Sequence, residues 1–198
     1  MSTALGAIPP APPGVHLAGW GFAQAYMIPI RHDKTADIIR LEYNRSGSPV
    51  IRVPVCLPLQ AGQQFLAGWR KAETTQLREP DEARLLTELT GWAGTQCQRL
   101  GVNRPTLLLQ GNDRYWGRCE PASAVVLLHP DLSRMPEEVA REVLLHELCH
   151  LIVPNHTKDF WHLMNREMPD WPEKEGMLRC LGKRLRAKKR QYRASVRR

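Results

Sequence analysis

Hydrophobic positions along the chain fall into two regimes. Ala36–Tyr43 (ADIIRLEY) and Pro49–Cys56 (PVIRVPVC) are rich in β-branched residues and flank Asn-Arg-Ser-Gly-Ser, which predicts a hairpin with a long loop. Pro54 predicts that the second strand lies at a sheet edge or a bulge. Beyond residue 60 the spacing turns helical. Ala61–Gln76 places Phe65 and Trp69 on one face, four residues apart. Glu79-Pro80-Asp81 opens a second helix carrying Leu85, Leu86, Leu89 and Trp92, and Gly101 stops it. Thr106–Gln110 (TLLLQ) and Ala124–Leu128 (AVVLL) predict buried strands on either side of a polar loop, Gly111–Ser123. Ser133 with Pro136-Glu137-Glu138 starts a helix through Val139, Val143, Leu144, Leu148 and Leu151, which Pro154 ends. Thr157–Met168 and the stretch from Glu173 onward predict two more helices. Strands followed by helices, with no internal repeat, predict an α+β domain.

Composition adjusts this picture at the two ends. Residues 1–14 are small and Pro-rich and predict a disordered lead. They show no basic and apolar pattern of a secretory signal, and no apolar run reaches the roughly 18 residues of a membrane helix. Five cysteines at irregular spacings, without a C-x-x-C pair, point to a reduced cytoplasmic protein. The net charge is +8, yet nine Lys/Arg and no acid follow Cys180, which leaves residues 1–180 nearly neutral. The chain therefore divides into a lead (1–14), a domain (15–180) and a basic tail (181–198). Leu178, Leu181 and Leu185 share a helical face, so the tail is expected to pack at its start and become exposed beyond. Such a run is either a solvated extension or a contact for nucleic-acid phosphates.

The candidate chemistry lies in His146-Glu147-Leu148-Cys149-His150, an H-E-x-x-H motif inside a predicted helix. The i, i+4 spacing puts both imidazoles on one face, about 5 to 6 Å apart at Cβ, so both reach one metal ion. Glu147 is offset by one residue and suits proton transfer from a water that the metal activates. Two surface histidines on an amphipathic helix are the plainer alternative. The neighbours Val143, Leu144, Leu145, Leu148, Leu151, Ile152 and Val153 weigh against it, because three polar side chains in an apolar helix need a purpose.

A third ligand is needed for a catalytic zinc ion, and His156 is the candidate. On a continued helix it would lie about 9 Å beyond His150, out of reach. Pro154 breaks the helix and Asn155 suits a turn that swings His156 back. The expectation is one zinc ion per chain held by His146, His150 and His156.

Several motifs now align. Phe65-Leu66-x-x-Trp69, Tyr115-Trp116-Gly117-Arg118-Cys119, the H-E-x-x-H run, Asn155-His156-Thr157-x-x-Phe160-Trp161 and Met168-Pro169-Asp170 occur in order. From about Asp37 to Met177 the chain resembles the YgjP-like metal-dependent hydrolases, relatives of the SprT-like metallopeptidases. The resemblance implies a compact zincin-like fold with a small sheet beside the active-site helix. It also implies His146, His150 and His156 as zinc ligands and Glu147 as the catalytic residue; read as a peptidase site, these residues call for a polypeptide substrate. Two positions depart from the family pattern: Arg118 stands where W-G-S-C has Ser, and His129 stands where an Asn is expected. Arg118 is either an oxyanion or acid-binding group or a solvated arginine, and His129 either lines the site or ends a strand.

Other residues have plainer readings. Cys149 points about 100° away from His150 around the helix and reads as a small buried hydrophobe. Phe160 and Trp161 read as packing beneath the metal helix, and His162 as a surface residue. Tyr115 could donate to a transition state, but nothing in the sequence aims its hydroxyl. The leading function is a zinc-dependent metallopeptidase-type hydrolase. A metal-dependent nucleotide phosphohydrolase and a DNA-associated zinc module are the alternatives. Against the former, only Arg114 and Arg118 could face phosphates there, and no Gly-rich phosphate loop is present. Against the latter, closed structural zinc sites complete four protein ligands, usually with cysteines.

Overall fold

A computed structural model describes residues 2–4, 28–111 and 114–196. Among the described residues, seven strands and five α-helices make an α+β fold with two small sheets. The first sheet holds β2 (Ile30–Asp33), β3 (Arg40–Tyr43) and β4 (Pro49–Pro54) in the order β2-β4-β3. The expected hairpin is β3–β4, with Leu41 opposite Ile51, and Asn44 Oδ1 organises its loop by accepting the Ser46 and Ser48 amides. β4 is the central strand and not an edge, because β2 pairs with it in parallel. Pro54 is tolerated there as the last residue of the strand, where its missing N–H interrupts no interior pairing.

The second sheet has the order β1-β6-β7-β5, from β1 (Ser2–Ala4), β5 (Thr106–Leu109), β6 (Tyr115–Glu120) and β7 (Val125–Leu128). β5 and β7 are the two apolar runs, parallel to each other and each buried on alternate residues only. β6 lies in what reads as a polar loop. Its Gly117 and Arg118 mask the alternation, and only pairing with β7 reveals the strand. Ser2–Ala4 pair with β6, where composition predicts a disordered lead; residues 1 and 5–14 lie outside the described residues.

α1 (Leu59–Thr74) and α5 (Trp171–Val196) pack closely. A Cβ on Gly68 would meet the Glu173 carbonyl oxygen at 1.7 Å, and one on Gly176 the Phe65 carbonyl oxygen at 2.0 Å. Those two glycines let the backbones touch, which seats Phe65 and Trp69 in the core. α2 (Glu82–Leu100) begins on the Asp81 cap and ends on Gly101 in the left-handed conformation, the termini expected from its residues. α3 (Glu137–Cys149) is the central helix, in contact with α2, α5, β6, β7 and α4 (Lys158–Glu167). Ten of its residues are buried, so it has almost no solvent face. The small sheet that the resemblance places beside this helix is the four-stranded one, through β6 and β7.

Candidate metal centre

His146 and Glu147 ride on α3, and His150 caps its C-terminus. The last turn tightens: Val153 N–H still reaches Cys149 O at 2.9 Å, and Pro154 then supplies no amide to continue the ladder. Thr157 N–H bonds Asn155 O at 2.7 Å, a tight turn centred on His156 just before α4. The chain is thereby folded back over α3.

The three histidines converge. Their ring centroids are 4.9 to 5.0 Å apart, and a ligand nitrogen from each falls within 4.8 Å of the others. His146 Nε2 and His156 Nε2 face one another at 2.8 Å. His150 Nδ1 donates to Val153 O at 3.1 Å, which fixes the proton on that nitrogen and leaves Nε2 as a lone pair. That Nε2 is buried and has no hydrogen-bond partner. An orphaned lone pair beside two facing imidazoles suits a borderline-soft cation such as zinc.

Burial favours the neutral ligand form. It holds His146 well below its usual range, helped by His156 and His150, and takes His150 down to about 4. His156 is lowered by burial too, with Asp37 opposing. Asp37 Oδ2 stands 3.9 Å from His156 Nδ1, on the turn between β2 and β3. Nothing in the sequence marks this aspartate as a neighbour, because the contact joins residues far apart in the chain.

Aromatic rings form the floor. Phe160 sits 4.6 to 4.9 Å from all three imidazoles, and Trp161 stacks on His156 at 5.5 Å and on Trp171 at 4.5 Å. Both are buried, the packing role expected for them.

Glu147 is fully buried and lies against Gly117 of β6. A Cβ at 117 would fall 2.7 Å from Glu147 Cγ and 2.8 Å from Oε1. The glycine of Trp116-Gly117-Arg118-Cys119 is the one residue that leaves room for that carboxylate. Arg118, the next residue, is exposed and faces Glu120 at 3.4 Å. Adjacent strand residues point to opposite faces, so it turns away from Glu147.

The remaining candidates sort clearly. His129 caps a 3-10 turn by accepting the Asp131 amide at 3.1 Å and packs edge-on against Trp116, outside the histidine cluster. Tyr115 reaches Gln110 at 3.4 Å. Cys149 is buried beside Met164, its thiol pushed up to about 12 by burial, which makes it inert. His162 is exposed. Glu142, one turn before His146, escaped the sequence reading; it is a buried carboxylate in a helix that otherwise signals only its H-E-x-x-H run.

A model of the YgjP-like metallopeptidase domain matches residues 68–180. Among solved structures, the zymogen of the Pyrococcus abyssi metallopeptidase abylysin aligns at 25% identity over 50% of this chain and 93% of that one, with a TM-score of 0.42. No curated protein matches significantly. The family match spans more than half of the chain and takes in α3 and the His156 turn, and the chain belongs to the YgjP-like metallopeptidase-domain family.

Proposed function

We propose that this metallopeptidase-family hydrolase is a zinc peptidase in which His146, His150 and His156 hold the metal and Glu147 is the catalytic base. The carrying observation is the convergence of two buried imidazoles and one half-buried one, with Glu147 lodged on Gly117. Bound zinc supplies Lewis acidity, which acidifies water and polarises a carbonyl. The protein's own part is positional. His150 is aimed by Val153 O, His156 by its stack on Trp161, and Phe160 walls off the floor from solvent. Glu147 takes the proton of the attacking water as the oxygen bonds to the carbonyl carbon. It returns that proton to the amide nitrogen as the C–N bond breaks.

Three nitrogens without a fourth protein donor in the cluster, among the described residues, favour a catalytic over a structural site. Nucleotide hydrolysis ranks lower: Arg114 and Arg118 are exposed, and Arg118 is engaged by Glu120. All five cysteines are free, which fits a reducing, cytoplasmic setting. No described helix is long and apolar enough to cross a membrane.

A second partner is favoured by a basic groove of about 400 Å³ lined by Arg134, Leu185, Lys188, Lys189, Tyr192 and Arg193. Tyr192 is 71% exposed among these cations, a stacking platform beside phosphate ligands. We assign this surface of the C-terminal helix to single-stranded nucleic acid.

The test of the peptidase reading is Glu147→Gln. The variant should keep one zinc ion per chain and lose cleavage of a broad peptide library. Loss of zinc with retained cleavage would refute the assignment.

A further inference from the structure

Beside His146 the fold encloses an unusual set of polar groups. Glu142 is 2% exposed, and its Oε2 has no hydrogen-bond partner. The Trp116 indole N–H, buried on β6, has none either. Across from them on α5, Arg179 donates to Glu175 Oε1 through Nε at 2.6 Å, with Nη2 also at 2.6 Å, both side chains buried. Burial, with Glu175 beside it, holds the Glu142 carboxyl well above the usual carboxylate range, and Arg179 opposes. A cavity with about 10 Å³ of room for a water-sized sphere is bounded by Trp116, Glu142, His146, Glu175 and Arg179.

That volume takes one water molecule, and the lining gives it partners of the right sense. A water accepts two hydrogen bonds and donates two. Trp116 Nε1–H is one donor. His146 turns Nε2 toward His156, so the nitrogen it has left for the cavity is Nδ1, which carries the proton once Nε2 serves as a ligand. Glu142 Oε2 and the Glu175 carboxylate accept. Such a bridge satisfies two buried atoms that otherwise have no partner, Trp116 Nε1 and Glu142 Oε2. It also holds the imidazole of a metal ligand in one tautomer and one orientation.

We propose that this cavity is a built water site and that Glu142, acting through the water, is a positioning residue for His146. The inference rests on the reading of His146 as a zinc ligand. Neither the H-E-x-x-H spacing nor the family match assigns position 142 a role.

The experiment uses the full chain and compares wild type with Glu142→Gln, Glu142→Leu, Trp116→Phe and His146→Ala. Zinc affinity is measured by competition with a chelator, and site geometry by the visible spectrum of the cobalt-substituted protein. Glu142→Gln keeps an acceptor and should stay within about threefold of wild type. Glu142→Leu should bind zinc about 10- to 100-fold more weakly and shift the cobalt bands, an effect that loss of packing alone would not produce. Trp116→Phe removes the other partner and should weaken zinc in the same direction; it decides the matter if Glu142→Leu does not fold. Wild-type affinity and spectrum in the folded variants, with zinc lost in His146→Ala, would overturn the positioning role alone. Wild-type affinity in His146→Ala would overturn the ligand assignment and this proposal with it.

Discussion

Gly117 and Glu147 touch across the interface between β6 and α3, 30 residues apart in sequence, with space for a hydrogen on Cα and nothing larger. Gly117→Ala must therefore push the carboxylate aside or part the strand from the helix. Overpacking of this kind costs about 1–3 kcal/mol. A displacement near 1 Å at a reacting group costs about 100-fold in rate. The variant should keep its zinc and lose peptide cleavage to about that extent. Metal analysis beside kcat separates this from a loss of ligands, and unchanged kcat would show that Glu147 is not held by the glycine.

Removing one imidazole should act on the metal first. His146→Ala, His150→Ala and His156→Ala should each drop zinc well below one per chain by elemental analysis. Wild-type protein should melt several degrees lower after chelation, because a ligand that binds only the folded state stabilises it. Full occupancy in His156→Ala would remove that residue from the site.

Acid should destabilise the metal-free protein through the same histidines. His150 has an ordinary value of 6.5 and a folded value of about 4, so between these pH values the unfolded chain binds the extra proton. Stability from this group is full above pH 6.5, falls as pH drops toward 4, and changes no further below it. The span corresponds to about 3 kcal/mol at most. His146 and His156 are shifted the same way, whereas Glu142, raised by burial, works in the opposite sense. Urea unfolding of metal-free wild type and His150→Asn from pH 4 to 7 isolates the contribution of this histidine. Parallel curves would contradict it.

The C-terminal helix needs a more careful variant than truncation. Leu185 is buried, Arg184 Nη1 donates to the Ala72 and Thr75 carbonyls at 2.5 and 2.6 Å, and Lys189 pairs with Asp131 at 2.5 Å. Cutting after Gly182 would remove structural contacts along with charge. Lys188→Ala with Arg193→Ala should weaken single-stranded DNA binding and flatten its salt dependence by a slope of about 1 to 1.5. Tyr192→Ala should cost about 1–3 kcal/mol with the salt slope unchanged. Zinc content should stay at the wild-type level in both. DNA binding that none of these variants alters would place the contact elsewhere.

What the sequence determined by itself is what local geometry determines. An α-helix brings residues i and i+4 together wherever it forms, so His146 and His150 could be paired before any fold was known. Pro154 and Asn155 break the helix by their own chemistry, which turned His156 back. The same locality made Leu178, Leu181 and Leu185 legible as a buried stripe. Only the tertiary structure decided that a glycine on β6 sits beneath Glu147, that Asp37 approaches His156, and that Glu142, Trp116, Glu175 and Arg179 share a cavity. It also made β4 central and turned an apparent polar loop into β6. These are pairings between distant segments, selected by which surfaces the whole chain can bury together. Hydrophobic periodicity reports the face an element will bury; it carries no information on the partner that will cover it.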